Sequence, residues 1–240
     1  MRSLNLLTAA LFVGLTALAG NPQLSRESNI ALGREDGVGS YSNAPENARQ
    51  TTVFPAATVR YRLDASQSKF IAHALAGGLL WFKGHDHLVA IRDFSGEAQL
   101  TPDSITPASL EIMAKTDSMV ETSSVFTEQQ KQIINKELRE IVLQPAKYPE
   151  IVFRSTNVTG KATGRNQYDL KISGDLTLHG VTRRITIPTR VTVTGKELRA
   201  QGEFDIDRGD FKVKATSAVH GLVRVRDKVK FTFDILGHQL

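Results

Sequence analysis

Two histidines two residues apart, His85 and His87, are the sharpest chemical feature of this 240-residue chain. In a strand, residues i and i+2 project from one face, so both imidazoles could share a transition metal, with Asp86 pointing away. His73, His179, His220 and His238 are the remaining imidazoles that could complete such a site. The alternative is that the pair flanks a strand start, hydrogen-bonds locally, or orients the polar head of a ligand. Asp205 and Asp207 alternate in the same way, but Arg208 and Asp210 beside them read as a solvated turn rather than an acid–base couple. The chain has no cysteine, which excludes disulfides, thiol nucleophiles and Cys-type zinc sites. It also lacks a G-x-S-x-G elbow, an H-E-x-x-H pair and a phosphate-cradling glycine loop ahead of a helix. Catalysis finds no support, and the expectation is a protein that is not an enzyme.

The elements that would carry these residues show period-two alternation from Val59 onward. Tyr168, Leu170, Ile172, Gly174, Leu176 and Leu178 take one side of a strand, and Asp169, Lys171, Ser173, Asp175, Thr177 and His179 take the other. The same pattern runs through Val59/Tyr61/Leu63, Leu110/Ile112/Ala114, Leu198/Ala200/Gly202/Phe204/Ile206 and Val229/Phe231/Phe233/Ile235. Turn signals at Gly160, Gly164-Arg165-Asn166 and Gly195-Lys196 separate them. About eight such strands, mostly hairpin-linked, predict an all-β antiparallel sheet that must close or sandwich to hide its edges. One stretch departs from the pattern. Thr127 and Gln130 form a capping box, with Ile134, Leu138 and Ile141 following at helical spacing until Pro145 and Pro149. That predicts one amphipathic helix lying against the sheet or closing one end, with a second short helical turn around Ala215–Val219.

Charge and the N-terminus bear on compartment. Thirty Lys and Arg against 25 Asp and Glu give a net charge of +5, without a basic cluster. That surplus suits an anionic surface such as a membrane and does not argue for nucleic acid. Met1-Arg2 followed by the apolar stretch Leu4–Leu18 and Ala17-Leu18-Ala19 reads as an export signal over residues 1–19, cut short of a membrane span by Gly20-Asn21-Pro22. Residues 20–57, rich in Gly, Ser, Asn and charge, read as a flexible leader. Residues 58–240 read as the folded unit.

The ordered set of segments resembles the YceI-like family of exported lipid-binding proteins. The resemblance is carried by YRLDASQSKF (Tyr61–Phe70), GHDHL (Gly84–Leu88), FSGEAQL (Phe94–Leu100), KYPEIVFRST (Lys147–Thr156), GDLTLHGVTRRITI (Gly174–Ile187) and FDIDRGDFKV (Phe204–Val213). It implies an extended, lipocalin-like antiparallel β-barrel of eight strands with one or two short helices around a long apolar tunnel. It also implies a periplasmic or secreted carrier of a polyisoprenoid, an isoprenoid quinone or a similar long-chain lipid, with no cofactor required.

Small residues on the expected inner faces (Ala72, Ala74, Ala76, Gly77, Gly78, Ala98, Ala114, Gly174, Ala200 and Gly202) would leave such a tunnel open, or would merely permit tight strand coiling. The candidate tunnel wall is Phe70, Ala72, Ala74, Leu79, Trp81, Phe82, Phe94, Ile112, Phe153, Phe204 and Phe231, with Leu80, Phe126 and Phe211 as further wall candidates. Trp81-Phe82 after Gly77-Gly78 suits a portal, where transient contact with a membrane surface would occur. His85 and His87 are the head-group or metal candidates, and His179 reads as structural. Three function classes follow: a lipid carrier, a metal-binding or redox-accessory protein using the His-x-His pair, and a docking module with a filled barrel. Deleting residues 20–52 is expected to leave the melting temperature nearly unchanged, because that segment offers almost no apolar anchor. Thermal denaturation of the two forms checks it, and a drop of several degrees would mean that the segment packs on the folded unit.

Overall fold

Each alternating segment pairs with its neighbour until the last returns to the first. The computed structural model describes residues 57–240 other than 80, 81, 83, 103, 215, 216 and 219–222. The expected export signal, all but the last residue of the leader, Leu80, Trp81 and His220 lie outside the described residues. The strands are β1 (Val59–Gly77), β2 (His87–Ile91), β3 (Phe94–Leu100), β4 (Ser109–Lys115), β5 (Met119–Glu121), β6 (Glu150–Gly164), β7 (Gln167–Leu178), β8 (Val181–Thr194), β9 (Glu197–Asp207), β10 (Ser217–Ala218) and β11 (Val223–Gln239). Antiparallel ladders run β1–β3–β4–β6–β7–β8–β9–β11, and β11 pairs back onto β1, closing an eight-stranded barrel. Closure removes the sheet edges that an open array would expose.

Two of the eight strands are broken. After Arg92-Asp93 interrupts the chain, β2 and β3 occupy successive stretches along β1, Ala72 facing Val89 and Tyr61 facing Ala98. A 3₁₀ turn, Thr116–Ser118, likewise separates β4 from β5, which pairs with β2. Among the described residues, the outer edge of β5 carries no further strand. Helix α1 (Glu128–Glu137) covers it, and Asn135 Oδ1 accepts the Glu121 amide at 2.7 Å.

The expected capping box starts this helix. Gln130 N donates to Thr127 Oγ1 at 3.3 Å, and Thr127 N to Gln130 Oε1 at 2.8 Å. Past Glu137 the backbone widens into a π-helical turn, Leu138–Leu143, with Gln144 N donating to Arg139 O at 2.9 Å. Widening changes which residues stack over Leu138. Leu143 is 5% exposed, whereas Ile141, in phase for a regular helix, is 42% exposed. Of the second expected helical turn, Ser217 and Ala218 form β10 against β11, while residues 215, 216 and 219 lie outside the described residues; a 3₁₀ turn stands earlier, at Arg208–Phe211.

Alternation puts Tyr168, Leu170, Ile172, Gly174, Leu176 and Leu178 of β7 inside, all buried. In β1 and β6 the inward parity changes partway. Tyr61 and Leu63 face in, then Ala72 and Ala76 do, because extra residues sit between Asp64, opposite Leu236, and Lys69, opposite Asp234. Asp64 organises this bulge by accepting Ser66 Oγ at 2.6 Å, Gln67 Nε2 at 2.8 Å and Ser66 N at 2.9 Å, and these bonds bring its carboxyl down to about 2. In β6, a bulge between Ser155 and Asn157 lets Phe153 and Val158 both point inward.

The inward glycines do not leave space. A Cβ on Gly174 would lie 2.6 Å from Phe153 Cζ and would strike the Arg154 carbonyl. One on Gly202 would lie 2.7 Å from Phe233 Cζ and would strike the Pro188 carbonyl. Each glycine seats a phenylalanine ring, so tight packing rather than cavity formation requires it there. Gly202→Ala is therefore expected to destabilise the fold by roughly 1–3 kcal/mol, measured by urea denaturation; unchanged stability would mean that the ring moves freely.

Candidate functional site

Five phenylalanines meet across the barrel. Phe204 of β9 stacks on Phe231 of β11 with centroids 5.1 Å apart and planes at 10°. Phe70 of β1 lies 6.1 Å from Phe231 and 6.4 Å from Phe233, and Phe94 of β3 meets it edge-on at 6.1 Å. Chambers lie on either side of this aromatic waist, with volumes of about 120 and 190 Å³. Phe70, Ala114, Ile151, Leu176 and Phe204 line both. The smaller is walled by apolar side chains such as Leu100, Ile112 and Phe153, with Gln99, Ser109 and Thr189 as its polar members. The larger reaches α1, through Ile134, Glu137 and Leu138, and takes in His87, Arg208 and Lys214.

The sequence candidates fall into three groups. Phe70, Ala72, Ala74, Ile112, Phe153, Phe204 and Phe231 line the chambers, as do Ala98, Ala114 and Ala200. Phe94 is buried behind Phe70 without lining either. Leu79 and Phe82 stand outside both chambers, 77% and 63% exposed, where Gly78 at φ 87° turns the chain at the end of β1. Phe211, 1% exposed, is plain core in the 3₁₀ turn. The candidate wall omitted Leu170 and Leu176, although alternation put them on the apolar face of their strand, and it omitted Ile187 and Val191 of β8, which also line a chamber.

The two histidines do not converge on one point. Phe126 lies against both: His87 stacks on it at 5.2 Å and 20°, while exposed His85 meets its ring at 5.7 Å and 88°. Asp86 accepts the Ala76 amide at 2.8 Å. The other described histidines are dispersed. His73 pairs with Thr232 Oγ1, His238 approaches Asp64, and His179 packs on Tyr148 at 4.0 Å. His179 sits at φ 51° in the β7–β8 turn, and burial together with nearby Lys147 pushes its pKa down. Among the described residues, no group of three or more His, Cys, Asp or Glu could hold a metal ion.

His87 instead pairs with Glu121, a residue absent from the candidates, which lies two residues from Met119 on β5 and is buried with it. His87 Nδ1 is 2.8 Å from Glu121 Oε2, and the Glu121 side chain is fully buried. Burial pushes this carboxyl up, but bonds from His87, Ser123 N and Leu88 N outweigh it and hold the group below the usual carboxylate range. An unfolded glutamate titrates at about 4.3, above the folded value, so the unfolded chain binds the extra proton between the two. The stabilisation is thus complete above the unfolded value and is lost as pH falls through the folded one. Glu121→Gln is expected to melt lower than the parent at neutral pH and to show a shallower loss of melting temperature on acidification. Parallel thermal melts from neutral to acidic pH check it, and identical acid slopes would overturn it.

The family model for the YceI-like domain matches residues 61–236. A UPF0312 protein of Pseudomonas savastanoi pv. phaseolicola is 37% identical over 110 residues, covering 42% of this chain and 53% of its own length, so the chain spans about half the length of this curated relative. Protein YceI of Escherichia coli O17:K52:H18 is 32% identical over 144 residues, 57% of this chain and 66% of its own. Among solved structures, BcnA of Burkholderia cenocepacia superposes with a TM-score of 0.56 at 20% identity, covering 72% of this chain and 98% of its own. A polyisoprenoid binding domain from Saccharophagus degradans, implicated in plant cell wall breakdown, gives 0.52 at 14% identity over 75% of this chain and 98% of its own. These two likenesses are of fold. The family model spans nearly the whole barrel, from the first residues of β1 to the closing part of β11, and this chain belongs to the YceI-like family.

Proposed function

We propose that this protein is an exported, periplasmic or secreted carrier that binds a polyisoprenoid, an isoprenoid quinone or a similar long-chain lipid without chemistry. The observation that carries the reading is the pair of carbon-lined chambers joined at one aromatic waist within a closed barrel. Each methylene moved from water into such a lining contributes roughly 0.8 kcal/mol, so a long tail needs few polar contacts. The polyisoprenoid binding named for the Saccharophagus domain of similar fold supports this ligand class. Export rests on the N-terminal pattern Met1–Ala19. Transient contact with a membrane surface would use Leu79 and Phe82, apolar and exposed beside Gly78. A docking module would call for a filled barrel, which the chambers do not favour, and a shared metal is disfavoured by Phe126 lying against both imidazoles.

The test is native mass spectrometry of the exported protein with lipid extraction, in parent and Ala114→Phe. Ala114 is 4% exposed and faces both chambers. In a filled core the larger ring would cost roughly 1–3 kcal/mol; in an open tunnel the delipidated variant is expected to keep the parent's melting temperature while its bound-lipid yield falls. Destabilisation together with a lipid-free parent would overturn the carrier reading.

A further inference from the structure

The polar end of the α1 chamber is organised around one imidazole. His87 lines the chamber with Nδ1 taken by Glu121, and its Nε2 makes no hydrogen bond to a described residue. An ionised carboxylate only accepts, so Nδ1 carries the hydrogen, and in the neutral ring Nε2 is left with a lone pair. Both partners are held from behind. Glu121 Oε1 accepts Ser123 N at 2.7 Å and Leu88 N at 3.1 Å, and the imidazole face lies on Phe126. Of the other charged residues lining the chamber, Arg208 is engaged by Asp227 and the Val213 carbonyl, and Glu137 and Lys214 are exposed. The Glu121 carboxylate thus serves two backbone amides through Oε1 and the imidazole through Oε2.

We propose that Glu121 is a positioning residue that fixes His87 as the Nδ1–H tautomer, and that Nε2 so presented selects long-chain lipids whose head donates an O–H or N–H hydrogen bond over equally long lipids whose head only accepts. This rests on the carrier reading above. The arrangement makes a specific demand of Glu121→Gln. The amide oxygen must stay where Oε1 accepts from Leu88 and Ser123, which turns the NH₂ toward His87. The NH₂ donates to Nδ1, the ring hydrogen moves to Nε2, and the chamber then presents a donor in place of an acceptor.

The experiment titrates the delipidated full chain with a long-chain primary alcohol, its methyl ether and the hydrocarbon of the same length, while ¹⁵N NMR of the imidazoles reads the tautomer. The parent is expected to bind the alcohol about 2- to 10-fold more tightly than the ether, the size of one hydrogen bond. Glu121→Gln is expected to shift His87 to the Nε2–H tautomer and to bind alcohol and ether about equally, since the oxygens of both accept from an N–H donor. His87→Phe, which keeps a flat ring on Phe126, is expected to bind alcohol and ether equally, and it provides the test should Glu121→Gln fail to fold. Equal affinities in the parent, a preference retained in His87→Phe, or a folded Glu121→Gln with the parent tautomer would overturn the proposal while hydrocarbon binding leaves the carrier reading intact. Binding of none of the three probes would overturn both.

Discussion

The pairing of the first strand with the last is the contact on which the remaining architecture depends. β1 and β11 run antiparallel from Tyr61 opposite Gln239 to Gly77 opposite Arg224, so the ends of the barrel sequence zip along nearly their full length. Unpaired, each would be an edge strand with a row of unsatisfied amides and carbonyls. Paired, they bend the sheet until its apolar faces oppose one another, and only then do Phe70 on β1 and Phe204 on β9 meet Phe231 and Phe233 on β11. The other edge of β1 holds β3 and then β2, so one strand also ties together the two halves of an interrupted wall.

Packing inside this wall divides labour between alanine and glycine. Ala72, Ala74, Ala98, Ala114 and Ala200 carry short side chains into the interior, and the space above them is chamber. Gly174 and Gly202 lie beneath Phe153 and Phe233, so the volume that they forgo is filled by rings from neighbouring strands. Large rings concentrate at the middle and alanines flank them, which gives two chambers sharing a waist rather than a uniform bore. An eight-stranded barrel has little width to spare, so this distribution of side-chain volume decides between a filled core and a tunnel.

Charge is handled in opposite ways on the two faces. Outside, Asp175 faces Arg184, Asp169 faces Arg190 and Glu111 faces Arg154 across adjacent strands, pairs that are solvent-screened and contribute about 0–1 kcal/mol each. Inside, Glu121 is the one buried member of the Asp, Glu, Lys, Arg and His set among the described residues. Its desolvation is offset by His87 and two backbone amides, because a carboxylate removed from water must satisfy its lone pairs locally. A single buried anion beside an apolar cavity therefore sets the polarity of one end of that cavity.

Alternation alone marked β1, β4, β7, β9 and β11 and the inward set of β7, and the capping box marked the start of α1. These rest on local physics: side chains alternate with every residue of a strand, and a capping box closes within one turn. The family, too, was legible in the ordered segments between Tyr61 and Val213. The assembled fold sets where parity changes, as at the Asp64–Lys69 and Ser155–Asn157 bulges, since an extra residue is visible only against its partner strand. It likewise decided that Ile141 faces outward, that glycines seat rings, and that His87 pairs with Glu121 across 34 residues rather than with His85. Alternation states which face a side chain takes, but what stands opposite depends on barrel closure and on the volumes that meet at its centre.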